Sequence, residues 1–98
     1  MRLTISRLTP ADLDELMEVE RSSFSCPWTR DMYLAEIGKA EGCYLKARRG
    51  GVLAGYGGVL IILDEAHVMT LAVREEMRRR GVAIRIMLEL VREAERRG

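Results

Sequence analysis

Residues 71–84 read LAVREEMRRRGVAI. An apolar strand at Leu71–Val73 is followed by a charged loop, and Gly81 then precedes the first turn of a helix. The first amide groups of a helix have no internal acceptor, and the helix dipole adds partial positive charge at the same end. The segment therefore predicts an anion site, for which a pyrophosphate has a suitable size and charge.

The residue types in the segment suit a phosphate ligand. Gly81 lets the backbone approach the ligand closely, and the small Ala83 leaves room beside it. Arg78, Arg79 and Arg80 add charge-assisted contacts. The chain has neither GxxxxGK[ST] nor GxGxxG, which argues against a P-loop or a Rossmann dinucleotide site. Without further context, a solvated basic turn before an ordinary amphipathic helix explains the same residues.

The helix after Gly81 is predicted to run to Arg97, with Gly98 as a possible glycine cap. Helical spacing gives it an apolar face that is expected to point inward. The residues assigned to that face are Ile84, Met87, Leu88, Val91 and Ala94.

Three strands are predicted before this segment. Residues 43–48 alternate between apolar and polar, Gly50-Gly51 supplies the positive-φ pair of a tight hairpin, and residues 52–63 form the second strand. Residues 66–73 are apolar on both faces, which predicts a central strand. The second strand contains three glycines that predict a bend, a bulge or the close approach of another backbone: Gly55, Gly57 and Gly58.

The first forty residues predict a strand and two helices. Residues 3–7 alternate as a strand with one buried face does. Thr9-Pro10 is a helix start, and Thr29 can cap a second short helix that Gly38 or Gly42 can end. The first helix reaches about Arg21 and carries one mostly apolar stripe, which consists of Leu13, Leu16, Met17 and Glu20.

The element order is therefore β-α-α-β-β-β-α, an α+β fold built on an antiparallel meander. The length of 98 residues allows a single domain, 1–98. A helix laid on the last strand normally leads to a further strand beside it. We therefore expect an incomplete domain, truncated before its fifth strand.

Composition excludes several classes of protein. Sixteen basic and fifteen acidic residues give a net charge of +1, which argues against direct nucleic-acid binding and against a membrane surface. The charge is uneven, because residues 1–72 stand at −2 and residues 73–98 at +3. Cys26 and Cys43 form no CxxC or Cys/His cluster and follow no signal peptide, so we expect reduced thiols, a cytoplasmic protein and no metal.

Several stretches together resemble the GNAT acetyltransferase superfamily. Its acetyl-CoA motif is an apolar strand followed by [Gln/Arg]-x-x-Gly-x-[Gly/Ala] at a helix start, which residues 71–73 and 78–83 match. Residues 63–66, 27–29 and 95–98 look like the RimI-type branch, the N-terminal acetyltransferases of ribosomal proteins. The resemblance covers essentially the whole chain. Departures are Ala83 in place of the second glycine and residues 74–76 where relatives often have proline.

The resemblance implies a cofactor and a reaction. Acetyl-CoA would be the co-substrate, and a protein N-terminal amine would attack it directly in a ternary complex. Backbone groups of the strand would pair with the pantetheine arm, and amides of the helix start would hold the pyrophosphate. The cofactor-binding residues implied in this way are Leu71, Ala72, Val73, Arg78, Arg79, Arg80, Gly81, Val82, Ala83 and Ile84.

The resemblance assigns no catalytic residue within the chain. In RimI-like enzymes the general base is a glutamate on the next strand and the acid is a tyrosine on a later helix, so we expect both beyond residue 98. His67 aligns near the substrate in some relatives and is a candidate base, although a structural or surface histidine explains it as well. Trp28 and Tyr33 are candidates for the peptide site, or for simple packing.

The sequence thus predicts a RimI-like N-alpha-acetyltransferase that acts on a ribosomal protein, in a chain that we expect to be inactive alone. One alternative is a non-catalytic acetyl-CoA-binding module, or a half-domain that another chain completes by self-association at the strand edge ending at Val73. A second is an RNA binder that uses the arginine cluster, which lacks interleaved aromatic residues.

Overall fold

The computed structural model describes residues 2–97 and contains four strands and three helices. The first half comprises β1 (Thr4–Arg7), α1 (Leu13–Ser23) and α2 (Arg30–Ile37). The second half comprises β2 (Gly42–Arg49), β3 (Val52–Ile62), β4 (Glu65–Val73) and α3 (Val82–Arg97). Short 3-10 turns occupy Pro10–Asp12 and Glu75–Met77. The predicted element order and α+β class are confirmed.

The strands form one antiparallel sheet in the order β1-β2-β3-β4. Helices α1 and α2 cover one face, where the core includes Leu13, Leu16, Tyr33 and Tyr56. Helix α3 covers the other face through Val82, Ile86 and Leu90, which are each at most 1% exposed. The sheet is therefore the middle layer of three, and α1 and α3 lie on opposite sides of β4. No helix within residues 2–97 is long and apolar enough to cross a membrane.

A capping hydrogen bond marks the start of α2, and a glycine marks the turn between β2 and β3. The Oγ1 of Thr29 accepts the backbone N–H of Met32 at 3.1 Å, as predicted for the α2 cap. At the hairpin, Gly50 alone has a positive φ, of 61°, so the expectation of a positive-φ pair with Gly51 is wrong. The first turn after Thr9 is 3-10 rather than α-helical.

The inward face predicted for α3 is wrong in part. Ile84, Leu88 and Val91 are 67%, 49% and 48% exposed, while Met87 and Ala94 are half-buried. Apolar residues fill two overlapping stripes on this helix, and periodicity alone does not say which stripe meets the sheet. The buried stripe is Val82, Ile86 and Leu90. The cap predicted at Gly98 lies outside the described residues.

Strand β4 is at an edge of the sheet formed by the described residues, so its prediction as a central strand is wrong there. Residues 65–69 are exposed, and only Thr70 and Ala72 are buried. The apolar side chains on both faces produced the central-strand pattern. In the structure, Val68 is 54% exposed and Met69 is 36% exposed.

The glycines of β3 allow close packing, as the sequence predicted. A Cβ built on Gly55 would lie 2.7 Å from the backbone oxygen of Ala72 and 3.3 Å from Cγ1 of Val82. A Cβ on Gly57 would lie 2.9 Å from Cγ2 of Ile86. The strand register also shifts between Gly58 and Val59. Side chains at these positions would push β4 and α3 away from β3.

Asp12 joins the start of α1 to β2. It is 5% exposed, and its carboxylate accepts hydrogen bonds from the Thr9 N–H at 2.8 Å, from Lys46 Nζ at 2.6 Å and from Arg48 at 3.0 Å. Burial alone would raise the pKa of Asp12, but these hydrogen bonds outweigh it and lower the pKa from 3.8 to about 2. The ionised form is therefore the one that stabilises the fold.

Gly55→Ala should lower the free energy of unfolding by about 1–3 kcal/mol, because the new methyl group meets backbone rather than a movable side chain. Urea denaturation measures this loss. Gly51→Ala is the matched control, since nothing lies within 4 Å of a Cβ there. Equal unfolding free energies for the two variants would show that β3 does not need a glycine at position 55.

Asp12 should contribute about 2 kcal/mol of stability at neutral pH. Its folded pKa is below the unfolded value, so this contribution is complete above about pH 4 and disappears as the pH falls toward 2. Asp12→Asn should lose it at pH 6 and show a flatter stability profile between pH 2 and 4. Asp64→Asn, in the exposed β3–β4 turn, is the control. Identical acid profiles for Asp12→Asn and the unmodified chain would contradict the assignment.

Candidate functional site

A pocket of about 500 Å³ opens where the end of β4, the following loop and the start of α3 meet. We call it the α3 pocket. It brings together nine of the ten residues predicted from the sequence, all except Arg80. Those nine are Leu71, Ala72, Val73, Arg78, Arg79, Gly81, Val82, Ala83 and Ile84. Arg80 is exposed and does not line the pocket.

The structure adds three residues to the wall that the sequence did not indicate: Ser23, Phe24 and Met77. Ser23 and Phe24 end α1 and reach the pocket because α1 packs across the opposite face of the sheet near β4. No local pattern marks them, since their role depends on a tertiary contact. Met77 closes the 3-10 turn of the loop.

The loop before α3 contains two residues with left-handed backbone. Arg79 has φ 64° and Gly81 has φ 80°, on either side of Arg80. Left-handed residues within a turn create a concave row of N–H groups that suits an anion. A Cβ on Gly81 would meet nothing within 4 Å, so the glycine is required for its φ and leaves open space above the backbone.

The start of α3 supplies further donors. The first intrahelical bond runs from the N–H of Arg85 to the carbonyl of Gly81 at 3.0 Å. The amides of Val82, Ala83 and Ile84 precede it and have no acceptor within the helix. The helix dipole places partial positive charge at the same three residues.

One arginine of the loop has a structural task. Arg78 Nε donates to the carbonyl of Val73 at 3.0 Å, and its Nη2 donates to the Ser23 hydroxyl at 3.3 Å. These bonds tie the loop to β4 and to the end of α1. Arg78 remains exposed, so its charge still contributes to the field of the pocket.

The open edge of β4 offers backbone groups to the pocket. The Arg74 N–H donates to the Ala54 carbonyl at 2.8 Å, and the register pairs Ala72 with Tyr56. In an antiparallel ladder, hydrogen-bonded pairs alternate with pairs whose amide groups point away from the partner. Ala72 therefore bonds to β3, while Leu71 and Val73 direct their N–H groups to the open edge.

The other candidate residues lie apart from the α3 pocket. His67 is exposed on β4, four residues before Leu71, which corresponds to about 13 Å along a strand. Trp28 is half-buried, and its ring packs against that of buried Tyr33 with centroids 4.9 Å apart. These two aromatic residues lie on the α1 and α2 side of the sheet.

A family comparison agrees with this arrangement. The model of the Acetyltransferase (GNAT) family matches residues 13–98. The chain belongs to this family. The resemblance found in the sequence motif is thereby confirmed, and the four-stranded antiparallel fold with three helices agrees with solved GNAT structures.

Two bacterial proteins illustrate the similarity. A Bacillus subtilis protein with the provisional name ribosomal protein bS18-alanine N-acetyltransferase is 34% identical over 90 residues, covering 88% of this chain and 60% of that protein. The crystal structure of the Escherichia coli ribosomal-protein-S18-alanine N-acetyltransferase has a TM-score of 0.88 and 25% identity. The match covers 99% of this GNAT chain and 62% of the Escherichia coli chain. The chain thus spans about three fifths of the length of both relatives.

A structure with bound coenzyme A shares the fold. The PaiA N-acetyltransferase of Thermoplasma acidophilum, in complex with coenzyme A, has a TM-score of 0.89 at 21% identity. The match covers 100% of this GNAT chain and 75% of the Thermoplasma acidophilum chain. At this identity the comparison shows the fold alone.

Proposed function

We propose that the protein transfers an acetyl group from acetyl-CoA to the N-terminal α-amine of a protein, and that the acceptor is a ribosomal protein. The α3 pocket carries this proposal, because two kinds of backbone donor and a cationic loop converge in it. The names of the bS18-alanine N-acetyltransferases among its relatives support the choice of acceptor. The unpaired Cys26 and Cys43 support a cytoplasmic setting.

The loop and the helix start fit the pyrophosphate of the cofactor. The amides of residues 82–84 would donate to phosphate oxygens, and Gly81 lets the phosphates approach the backbone. Arg79 lines the pocket beside them, and Arg78 adds positive charge from its tethered position. The sequence-predicted Arg80 would act on the ligand only through its long-range field, because it lies outside the pocket wall.

The open edge of β4 fits the pantetheine arm. Pantetheine carries two amides, and the outward backbone groups of Leu71 would pair with this arm. The outward N–H of Val73 would donate to the thioester carbonyl, on whose oxygen negative charge develops during attack. Ala72 contributes only its side chain to the wall, because its backbone groups bond to β3.

The reaction needs no covalent enzyme intermediate. In a ternary complex, the uncharged acceptor nitrogen attacks the acetyl carbonyl carbon, the C–N bond forms and the C–S bond breaks. The proton that the nitrogen loses is taken up by the sulfur, so that CoA leaves as its thiol. The chain's contribution is to hold both reactants together and to orient the carbonyl.

Gly81→Val should abolish the thermal shift that acetyl-CoA produces, because a β-branched residue resists φ 80° and its side chain enters the space of the phosphates. Isothermal titration should give a Kd at least about tenfold higher, as expected for the loss of one charge-assisted contact. Gly50→Val is the matched control, since Gly50 also has positive φ with nothing within 4 Å of its Cβ.

Both variants carry the same kind of backbone strain, so a general loss of stability affects them alike. Only the Gly81 variant should lose acetyl-CoA. Unchanged acetyl-CoA affinity in Gly81→Val, or an equal loss in Gly50→Val, would refute the assignment of the pocket.

A second candidate is an acetyl-CoA-binding half-domain that pairs with another copy of the chain along β4. The exposed Val68 and Met69 on this edge, with Ile84 and Leu88 on α3, favour it. Sedimentation velocity should then show dimers, and Val68→Lys should shift them to monomers. A strictly monomeric, folded chain would eliminate this candidate and leave the first one standing.

A further inference from the structure

A buried carboxylate that the α3 pocket does not use lies under the connection between α1 and α2. Glu20 is 2% exposed. Its Oε1 accepts the hydroxyls of Tyr33 and Tyr56, each at 2.6 Å, and its Oε2 accepts the backbone N–H of Trp28 at 2.9 Å. No salt bridge within residues 2–97 includes Glu20. Neutral donors alone therefore hold this carboxylate.

A further hydrogen bond connects Tyr33 to Thr70, so the network extends from Glu20 to β4. The Tyr33 hydroxyl lies 3.3 Å from Oγ1 of Thr70. A phenol has one proton, and Tyr33 donates it to Glu20, so Thr70 must be the donor in this contact. Burial and then the hydrogen bond to Glu20 raise the pKa of Tyr33 and of Tyr56, so both phenols stay protonated.

Thr70 is the last residue in this series of hydrogen bonds. It lines a small cavity of about 110 Å³, which we call the Thr70 cavity. The proton of its hydroxyl is committed to Tyr33, so the oxygen offers lone pairs rather than a donor to a ligand. Glu20 also borders the cavity, but its two oxygens are occupied by three donors. The cavity therefore has an acceptor on its wall and a negative charge behind it.

The Thr70 cavity adjoins the α3 pocket. Phe24 and Leu71 line both. Thr70 faces the α1 and α2 side of β4, where it contacts Tyr33, and Leu71 packs on the α3 side. A group held at Thr70 would thus lie next to the strand edge proposed to hold the thioester.

We propose that the Thr70 cavity binds the protonated amino group of the acceptor, which releases one proton to solvent before its lone pair attacks. Thr70 would accept one N–H, while Tyr33 and Glu20 act through Thr70 as positioning residues that fix its proton and favour a cation. A buried carboxylate without a cationic partner attracts positive charge more strongly than an exposed one. This inference rests on the proposed function, because it assigns the acceptor side of the same reaction.

The test compares two probes, the peptide amide Ala-Ala-Ala-NH₂ and its N-acetylated form, by NMR titration of the 98-residue chain with and without coenzyme A. A Cys26→Ser background removes the other ionisable side chain on the cavity wall besides Glu20. We expect the free amine to bind at least about tenfold more tightly, as a charge-assisted hydrogen bond requires. Its affinity should fall as the pH rises through the pKa of the peptide amine, about 8.

Variants separate recognition from packing. Thr70→Val keeps the side-chain shape and should remove the preference for the free amine and its pH dependence, and Thr70→Ser should restore both. Tyr33→Phe should weaken the preference while the peptide still binds, because the hydroxyl of Thr70 is then free to rotate. Thr4→Val, on the exposed surface of β1, is the matched control and should change neither property.

The outcomes distinguish this inference from the proposed function. Equal binding of the two peptides, binding of neither, or an unchanged preference in Thr70→Val would overturn the inference. Failure to bind coenzyme A would instead contradict the proposed function, and the titration without coenzyme A still decides whether the cavity prefers a cation.

Discussion

Helix α3 can lie against the sheet only because β3 presents glycines to it. A methyl group at Gly55 or Gly57 would enter the space held by β4 backbone and by the side chains of Val82 and Ile86. The close contact fixes the first turn of α3 beside the last residues of β4. The α3 pocket follows from this placement, since its donors come from both elements. A packing constraint inside the sheet thus determines where the pocket proposed to bind an anion lies.

Alternate residues of β4 have different surroundings, because side chains along a strand point to opposite faces of the sheet. Leu71 and Val73 direct their backbone groups to the open edge, whereas Thr70 and Ala72 bury their side chains under α1 and α2. In the proposed function, one strand would therefore hold the cofactor along its edge and the acceptor on one face. Glu20 supports that face, because its hydrogen bonds connect α1, α2 and β3 and reach β4 through Tyr33.

Local signals in the sequence were sufficient for the fold and for most of the pocket wall. Thr29, Gly50 and Gly81 act through their own backbone geometry, and short-range patterns reveal such residues. The inward face of α3 was mispredicted because Leu88 and Leu90 are equally apolar, and only the partner surface selects between them. The sequence pattern assigns Glu20 to the mostly apolar stripe of α1. Its hydrogen-bond partners lie up to 36 positions away in the sequence, and helical periodicity gives no information about such contacts.

The proposed function requires that the β4 edge and the start of α3 hold acetyl-CoA. Amide chemical-shift mapping of the 98-residue chain on titration with acetyl-CoA tests it most directly. We expect saturable shifts concentrated at residues 71, 73 and 79–84, weakened by added salt because the contacts are partly ionic. Saturation with shifts elsewhere, or no shifts at millimolar acetyl-CoA, would contradict it.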